Sequence, residues 1–501
     1  MRGKSSETET LAPPRLNPLP VGERKRVTGE KTRVTREDKM RILLVVYDND
    51  SYISVFPLGT AYIASVCRKA GHEVIIYNQD VYHYPESHLT ALLNNEKFDA
   101  VGVGVIGGYY QYRKLIKISH AINESKNRPF FIIGGHGPSP EPEYFLKITK
   151  ADAVVIGEGE QTIIELLRAL EEKSALENVQ GIAFNKEGRF IQTPRRPLIQ
   201  NIDDIPLPAW DLFPIDHYAL LRGPNSKSSE RTMLMLSGRG CTFKCNFCYR
   251  MDEGFRPRAS ERIVEEIGLL MKNYHVSYID FQDELLMSSV SRTTELCESI
   301  LKSKLKFKWS CNGRLNYAKA DLLKLMREAG CLFINYGIEA LDDEILKNMN
   351  KVLTVKQIIS GIEATMSAGI SPGFNVIFGN IGENEKTLEK GVEFLLRYND
   401  NAQMRTIRPV TPYPGSPLYY YAIKNGLLKD CEDFYENKHL NSDLVSVNFT
   451  SLSDNEFHRI LLEANKKLIE HYFAVQLKNS IKNAEKLYLQ LDSSFRGFRQ
   501  T

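Results

Sequence analysis

From about residue 40 onward, apolar runs alternate with amphipathic stretches. Residues 41–47 (RILLVVY) form an unbroken apolar run rich in β-branched residues, which is typical of a strand buried on both faces of a parallel sheet. Four comparable runs follow, at residues 73–78, 100–106, 129–135 and 151–157. Helical stretches separate most of them, including residues 59–70 and 160–172. The pattern predicts an α/β domain with a doubly wound, Rossmann-like parallel sheet.

A second strand–helix series begins near Thr232. Apolar strand patterns occur at residues 232–238, 277–284, 306–313, 331–340, 371–380 and 402–410. Helical patterns occur at about 260–274, 291–303, 320–329, 342–349, 355–368 and 385–397. Six strand–helix units in a row predict a partial (β/α)6 TIM-type barrel, with its active-site groups at the carboxyl ends of the strands.

The other segments give the predicted domain limits. Residues 1–39 hold ten Lys/Arg, six Asp/Glu and four prolines, so we expect a disordered tail; alternatively, Met40 is the natural start. Prolines at close spacing in residues 201–214 indicate an extended linker. We predict a sheet domain with a terminal hairpin at residues 40–200 and a linker at 201–230. A barrel follows at 231–430, and a small, mostly helical C-terminal cap or substrate region at 431–501.

Composition excludes several classes of protein. The 501 residues are 42% hydrophobic and 25% charged, which is ordinary for globular proteins. No apolar run reaches the roughly 18 residues of a membrane span, and the first residues lack the apolar core of a secretory signal. The net charge of +3 does not favour nucleic acid as a partner. Eight cysteines are too few for a disulfide scaffold, but three fall within eight residues.

These three cysteines, Cys241, Cys245 and Cys248, directly follow a predicted strand with C-x3-C-x2-C spacing. Thiolates suit zinc and iron–sulfur clusters. A structural zinc site needs four ligands, and neither a second CxxC pair nor a nearby histidine completes the set. In a 4Fe-4S cluster, three thiolates leave one iron open to an exogenous ligand. The spacing therefore favours a chemically active cluster, with a chance grouping or a four-ligand metal site as the alternative.

With Phe247 before Cys248 and a six-unit barrel around it, the cysteine segment resembles the radical S-adenosylmethionine (SAM) superfamily. Further segments resemble that superfamily's strand-end motifs in the expected order: YIDFQDELL (278–286), WSCNGR (309–314), YGIEALDDEILKNMNK (336–351), FNVIFGNIGEN (374–384) and RPVTPYPGSPLY (408–419). One departure is Asn380, which stands where a Leu-Pro pair is common.

The resemblance implies that the three cysteines hold a 4Fe-4S cluster whose open iron binds SAM through its amino and carboxylate groups. An ammonium group needs a carboxylate partner, and a carboxylate suits a guanidinium fork. We therefore expect Asp283 or Glu284, together with Glu339, on the amino or ribose side, and Arg314 on the carboxylate side. The full predicted set of SAM contacts is Phe247, Asp283, Glu284, Arg314, Glu339, Gly379 and Ile381. The alternative for each charged residue is a surface charge or a structural ion pair.

The first sheet carries its own resemblance. Residues 56–80, 134–145, 154–167 and 181–214 resemble the cobalamin-binding domain and linker of cobalamin-dependent radical SAM enzymes. Glycine-rich loops follow three of the predicted strands, where ligands bind in such sheets, although these glycines also fit simple tight turns. The predicted cobalamin contacts are Phe56, Leu58, Gly59, Gly107, Gly108, Tyr109, Gly134, Gly135, His136, Gly157, Glu158 and Gly159.

The expected axial ligand of the cobalt is absent from its usual place. Many cobalamin proteins carry a histidine in a D-x-H-x-x-G loop, and Phe56 occupies that position in the frame from Ser54 to Gly59. We therefore expect cobalamin without a protein histidine on the cobalt. An insertion in the loop would shift the frame, which leaves His72, His83 and His136 as alternatives.

The two resemblances imply a radical C-methyltransferase that acts on an unactivated carbon after hydrogen abstraction by a 5′-deoxyadenosyl radical. A cyclase or oxidative rearrangement enzyme without net methylation is the alternative, and an iron–sulfur electron carrier or zinc-stabilised interaction protein is a third. No catalytic residue is assigned. We expect a small-molecule or peptide substrate, a flavodoxin- or ferredoxin-type reductant and, because the cluster is oxygen-labile, a cytoplasmic location. Cys311, at the end of a barrel strand, is a further weak site candidate.

Overall fold

Seven strands form the first sheet of this computed structural model, which describes residues 39–51 and 54–494. They are β1 (Arg41–Val46), β2 (Glu73–Asn78), β3 (Ala100–Gly104), β4 (Phe130–Gly134), β5 (Ala153–Val155), β6 (Ile182–Lys186) and β7 (Arg189–Gln192). The order is β2-β1-β3-β4-β5-β6-β7, and β1 to β5 are parallel. The predicted doubly wound fold is confirmed. The predicted tail lies outside the described residues except for Lys39.

The apolar run of β1 is explained by burial on both faces of this sheet. Leu43 and Val45 pack into one hydrophobic layer, whereas Ile42 and Leu44 pack into the layer on the other side. Successive side chains of a strand point to opposite faces, so a strand between two helical layers needs apolar residues at every position. The helices that surround the sheet are α1 (Leu58–Lys69), α2 (Gln79–Tyr82), α3 (Glu86–Asn95), α4 (Tyr109–Asn123), α5 (Pro142–Thr149) and α6 (Gly159–Glu171).

The hairpin predicted within residues 181–200 extends the sheet. Strand β6 pairs antiparallel with β5, with Ala183 opposite Val154, and β7 pairs antiparallel with β6. The short helix α7 (Ile215–Tyr218) follows in the linker.

The second sheet is an open, curled half-barrel of six parallel strands. They are β8 (Thr232–Met235), β11 (Tyr278–Phe281), β12 (Lys308–Gly313), β13 (Cys331–Glu339), β14 (Ser371–Phe378) and β15 (Arg408–Pro409). Two short strands, β9 (Gly238–Arg239) and β10 (Arg256–Pro257), pair antiparallel after β8. The helices are α8 (Ser260–Tyr274), α9 (Val290–Ser303), α10 (Ala320–Glu328), α11 (Asp343–Asn348), α12 (Val355–Ser367) and α13 (Glu385–Tyr398). The last strand is much shorter than the predicted 402–410.

The C-terminal region is largely helical, as predicted, but it is tied to both sheets. Helix α14 (Pro417–Lys424) lies just before this region, which contains α15 (Cys431–Asp433) and α16 (Asp454–Leu489). On the barrel side, the ring of Phe457 lies 4.8 Å from that of Phe378. On the other side, the hydroxyl of Tyr435 donates to the carbonyl of Gly107 at 3.3 Å. Within the described residues, no helix has the length and apolar character needed to cross a membrane.

Candidate active site

The cysteine loop leaves the half-barrel through a narrow neck between β9 and β10. Gly240 has a φ of +84°, and a Cβ there would lie 2.3 Å from the carbonyl oxygen of Gly254. Only glycine fits so close an approach at positive φ. Cys241 then forms a backbone bridge with Glu253. The neck therefore sets the direction in which the loop and its three thiols project from the carboxyl end of the barrel.

The three cysteines differ in exposure and in the pKa of their thiols. Cys245 is buried, Cys241 is half-buried and Cys248 is exposed. A hydrogen bond from the Cys248 thiol lowers the pKa of Cys245 to about 6, and the positive charges of Lys351 and Arg314 act in the same direction. The same hydrogen bond raises the pKa of Cys248. Metals bind cysteine in its thiolate form, so the lowered pKa favours Cys245 as a ligand.

This donor set fits a 4Fe-4S cluster. The loop carries three free cysteines, and such a cluster takes one thiolate on each of three irons. The other five cysteines are all buried in the described structure and lie outside the loop. Cys311, the weak candidate, is in the hydrophobic core of the barrel.

Arg314, directly after β12, packs against the cysteine loop. Its guanidinium carbon lies 3.3 Å from the ring centroid of Phe243. One nitrogen is 3.9 Å from the sulfur of Cys245, and another donates to the backbone carbonyl of Lys351. The side chain is buried. The half-barrel thus places a fixed positive charge beside the thiols, which suits an anionic group of a ligand.

Glu339 and Lys351 form a buried ion pair at the end of β13. Lys351 Nζ lies 2.8 Å from Glu339 Oε1 and 5.8 Å from the ring centroid of Phe247. Glu339 has a φ of +69°, an uncommon conformation for a residue with a side chain, which concentrates at functional sites. The sequence identified Glu339 but not Lys351. A lysine twelve residues beyond a strand end carries no periodic signal, and only the fold brings it back to the cysteines.

Asp283 and Glu284 have different positions although they are adjacent. Asp283 is buried, and its carboxylate accepts the backbone N–H of Ser237, at 2.8 and 3.0 Å, and that of Gly238. Burial raises its pKa to about 6, against the effect of these hydrogen bonds. Asp283 therefore orders the approach to the cysteine loop. Glu284 is exposed and contributes to raising the pKa of Cys241, after the larger effect of burial, so its carboxylate is the one open to a ligand.

The loop after β14 is bonded directly to the cysteine loop. Asn380 is fully buried and exchanges two side-chain hydrogen bonds with Asn246, at 3.0 and 3.1 Å. The N–H of half-buried Ile381 donates to Asn380 Oδ1 at 2.7 Å. Gly379 has a φ of +105°, and a Cβ there would lie 2.7 Å from Phe457. The asparagine that departs from the usual Leu-Pro pair thus connects two loops of the site.

Glu383 supports the same loop and predicts a pH dependence. Its carboxylate accepts the N–H of Gly379 and of Asn380, at 2.7 and 2.8 Å, while burial raises its pKa to about 8. A carboxyl with a raised pKa in the folded chain holds its proton more tightly there than in the unfolded chain. Its contribution to stability is therefore complete below the unfolded pKa and is lost as the pH rises through the folded pKa. The free energy of unfolding should fall by up to about 1.4 kcal/mol per pH unit between about pH 5 and pH 8.

Denaturant titrations across that range test this prediction with two variants. Glu383→Gln keeps a carbonyl acceptor and should remove most of the slope between pH 6 and pH 8, above the pKa of about 6 of Asp283. Glu385→Gln, an exposed position two residues later, should retain it. An unchanged slope in Glu383→Gln would mean that another group titrates.

The glycine-rich loops of the first sheet lie together at its carboxyl edge. Gly107 and Gly108 follow β3, and Tyr109 begins α4. Gly134 ends β4, with Gly135 and His136 directly after it. Gly157 and Glu158 follow β5, Gly159 begins α6, and Leu58 and Gly59 begin α1. Gly135 has a φ of +100°, and a Cβ there would lie 2.6 Å from the carbonyl oxygen of Val105. Three apolar side chains at this edge are largely exposed: Val55 (58%) and Ile106 (66%) in loops, and Tyr110 (63%) in the first turn of α4. An open apolar surface beside glycine loops fits a flat ligand such as a corrin.

Two predicted cobalamin contacts point elsewhere. The ring of Phe56 is buried against linker aromatics, with its centroid 4.8 Å from that of Trp210 and 5.1 Å from that of Phe213. Glu158 is also buried, and its carboxylate accepts from Arg239 and Arg256 of the half-barrel. Both side chains are engaged by protein partners because the linker and barrel fold back on the sheet, which the sequence does not show. Exposed Val55, beside Phe56, is open to a ligand instead.

The three candidate axial histidines occupy different places. His72 precedes β2, at the amino end of the sheet, where it lies 3.5 Å from Glu171. His83 Nδ1 lies 2.9 Å from the Asp48 carboxylate. His136 is exposed at the carboxyl edge.

The carboxyl edges of the two sheets meet at the cysteine loop. The ring of His136 lies 6.2 Å from that of Tyr249, the residue after Cys248. A Cβ on Gly415 would lie 2.5 Å from Tyr249 and 2.7 Å from Pro140. Loops from the first sheet, the cysteine segment and the end of the half-barrel therefore converge, so ligands of the two edges would be neighbours.

Comparison with known proteins agrees with this arrangement. Residues 235–395 match the Radical SAM superfamily, and residues 45–167 match the B12 binding domain. The chain is 31% identical to the uncharacterized methyltransferase PH0819 of Pyrococcus horikoshii, over 78% of this chain and 84% of that one. It is 28% identical to the anaerobic magnesium-protoporphyrin IX monomethyl ester cyclase of Rubrivivax gelatinosus, over 72% of this chain and 65% of that one.

Two solved structures share the fold. The cobalamin-dependent SAM radical enzyme OxsB, with aqua-cobalamin and SAM bound, superposes with a TM-score of 0.61 at 20% identity, covering 78% of this chain and 56% of OxsB. The radical SAM methyltransferase TsrM from Kitasatospora setae, with cobalamin and a 4Fe-4S cluster bound, gives 0.64 at 16% identity, covering 77% and 75%. The chain thus belongs to the cobalamin-dependent radical SAM enzymes, and its cofactors are a 4Fe-4S cluster, SAM and cobalamin.

Proposed function

We propose that this enzyme is a C-methyltransferase that methylates an unactivated carbon of a small-molecule or peptide substrate. The observation that carries the proposal is the meeting of the two carboxyl edges at Tyr249, where His136 and Gly415 also lie. When bound, the cluster and SAM supply a radical that abstracts hydrogen, and cobalamin supplies the methyl group. Such a transfer needs both cofactors to reach one substrate carbon. The protein contributes by positioning the two cofactors and by excluding water.

In this proposal the half-barrel residues have separate tasks. Cys241, Cys245 and Cys248 hold the cluster. Arg314 binds the SAM carboxylate with its guanidinium, and Glu284 with the Glu339–Lys351 pair forms the polar surface for the amino and ribose groups. Asp283 acts on the cysteine loop as a positioning residue. The backbone at Gly379 and Ile381 and the ring of Phe247 border the remaining ligand surface.

In the first sheet, backbone and apolar surface rather than charge would hold the corrin. We propose that its contacts are Leu58, Gly59, Gly107, Gly108, Tyr109, Gly134, Gly135, His136, Gly157 and Gly159, together with exposed Val55, Ile106 and Tyr110. We propose that the corrin site lies within residues 40–200, that the cluster and SAM lie within 231–430, that 201–230 link them, and that residues 431–501 contribute to the substrate site. The expected electron donor is a flavodoxin- or ferredoxin-type protein.

A second function uses the same cofactors without methyl transfer. The magnesium-protoporphyrin ester cyclase relative at 28% identity favours it. Anaerobic incubation with reductant and SAM labelled in its methyl group separates the two. Label in the product and a mass increase of one methylene support methyl transfer. Release of 5′-deoxyadenosine with an unlabelled, cyclised or oxidised product supports the alternative.

The cobalt is predicted to have no protein histidine ligand. Phe56 occupies the expected histidine position and is buried against the linker, while His72 lies at the opposite end of the sheet from the glycine loops. The electron paramagnetic resonance (EPR) spectrum of the cob(II)alamin form should therefore lack nitrogen superhyperfine splitting from an imidazole. Splitting that changes from three lines to two when the histidines of the protein are labelled with 15N would reject the prediction, because the dimethylbenzimidazole of cobalamin stays unlabelled. Separate His83→Ala and His136→Ala variants would then identify the ligand.

A further inference from the structure

A buried group of charges joins the cobalamin-binding sheet to the base of the cysteine loop. We call it the inter-sheet ion cluster and define it as Glu158, Glu160, Arg239, Asp252 and Arg256. Glu158 and Glu160 lie in the loop after β5 and the first turn of α6, whereas the other three lie on the half-barrel side. The side chains of all five are at most 16% exposed.

The contacts of this cluster form a continuous network. Arg239 donates to Glu158 at 2.9 Å and to Glu160 at 2.6 Å. Arg256 donates to the second oxygen of Glu158 at 2.8 Å and to Asp252 at 3.1 Å. Each oxygen of Glu158 therefore has its own guanidinium partner, which fixes position and orientation together.

The same network holds the chain that leads from the first sheet into the linker. The backbone N–H of Ile199 donates to Glu158 at 3.0 Å, and its carbonyl accepts from Arg256 at 2.6 Å. Three segments that are distant in sequence thus share one carboxylate and one guanidinium.

The path from the network to the thiols is short. Arg239 is in β9 and Arg256 in β10, and the two residues are paired across that small sheet. Only Gly240, with its restricted approach to Gly254, separates Arg239 from Cys241. Any shift of Glu158 would therefore move the neck of the cysteine loop relative to the glycine loops.

Such a network is better suited to fixing geometry than to adding stability. Burying charges carries a desolvation cost that the pairing offsets only in good geometry, and apolar packing would serve stability as well. Directional hydrogen bonds between charged groups, in contrast, specify one arrangement of the segments. No side chain of the network is among those proposed to hold the cofactors. Glu158 lies between two of the proposed contacts, Gly157 and Gly159, but its carboxylate is bonded to Arg239 and Arg256.

We propose that the inter-sheet ion cluster fixes the separation and orientation of cobalamin relative to the iron–sulfur cluster, with Glu158 as its central positioning residue. The proposal rests on the assignment of Cys241 as a cluster ligand but not on the choice between methyl transfer and cyclisation. Reactions of this kind depend on sub-ångström placement, since a displacement of about 1 Å can cost roughly 100-fold in rate.

The test is the magnetic interaction between cob(II)alamin and the reduced 4Fe-4S cluster in the fully loaded enzyme, measured by pulsed EPR. The wild-type protein should give one narrow distribution of distances. Glu158→Gln, which keeps the shape but removes the charge, should give a shifted or broadened distribution while iron and cobalamin contents stay at wild-type levels. Glu160→Gln, which affects only the Arg239 contact, should give a smaller change.

The control is Glu266→Gln, which breaks the buried Arg258–Glu266 pair of 2.6 Å within the half-barrel and should leave the distribution unchanged. An unchanged distribution in loaded Glu158→Gln overturns the proposal. Loss of cobalamin from that variant also overturns it, because Glu158 would then act in binding. If Glu158→Gln does not fold, Glu160→Gln decides, and failure of both to fold makes the network a stability element and overturns the proposal. The labelled-methyl experiment remains independent of all these outcomes.

Discussion

Replacing Cys245 by alanine should remove the 4Fe-4S cluster and abolish reductive cleavage of SAM. Cys245 is the buried thiol whose pKa is lowered to about 6, by the hydrogen bond from Cys248 and by the charges of Lys351 and Arg314. The site offers three thiols, and the other five cysteines of the described chain are buried outside the loop, so no substitute ligand is at hand. We expect iron and sulfide to fall to background after anaerobic reconstitution, together with 5′-deoxyadenosine formation.

The matched control for this variant is Cys297→Ala. Cys297 is fully buried in α9, within the hydrophobic core of the half-barrel. The Cys297→Ala variant should keep the full content of iron and sulfide and should cleave SAM at the wild-type rate, even if its melting temperature falls. A Cys245→Ala protein that still binds a complete cluster would show that the ligand set is wrong.

Replacing Arg314 by methionine should weaken SAM binding by about 10- to 100-fold at full cluster content. The guanidinium is buried between Phe243 and the carbonyl of Lys351, 3.9 Å from the sulfur of Cys245. A hydrogen bond to a charged group contributes about 1.5–3 kcal/mol, which corresponds to this range in the dissociation constant. Equilibrium dialysis with labelled SAM under anaerobic conditions measures the effect.

Two further variants separate charge from geometry. Arg314→Lys keeps the positive charge but loses the planar fork, so it should recover only part of the affinity. Arg327→Met also removes an arginine that donates to a backbone carbonyl, that of Cys331, but lies outside the site and should bind SAM normally. Wild-type affinity in cluster-loaded Arg314→Met would exclude Arg314 as the carboxylate partner.

The elements of both sheets follow closely from the sequence because their signals are local. Strand β2 occupies residues 73–78, as its apolar run predicts, and α8 occupies residues 260–274. Several strands are shorter than predicted, and β15 departs furthest, with two residues instead of nine. Edge strands receive hydrogen bonds on one side only, and the pattern does not record how far that pairing extends.

The candidate site divides in the same way. Cys241, Cys245 and Cys248 lie within one short segment, so their spacing can be read directly from the sequence. Arg314 directly follows β12, and Glu339 is the last residue of β13. Lys351 lies twelve residues beyond Glu339, and only the return of the chain after α11 brings the two within 2.8 Å. Sequence proximity could not separate buried Asp283 from exposed Glu284, since the difference depends on the backbone of Ser237 and Gly238 in another segment.

The sequence by itself determined the two α/β units, their order and the three-thiol loop, because periodicity and short motifs act within one element. Only the tertiary structure decided which charges are free for ligands and how the two cofactor edges are placed. Glu158 illustrates the reason: its glycine-rich context predicts a ligand contact, but its carboxylate is satisfied by Arg239 and Arg256, some 80 to 100 residues away in the chain. A buried charge must pair with a group that lies near it in the folded chain. Arg239 and Arg256 come near Glu158 only when the half-barrel packs against the first sheet.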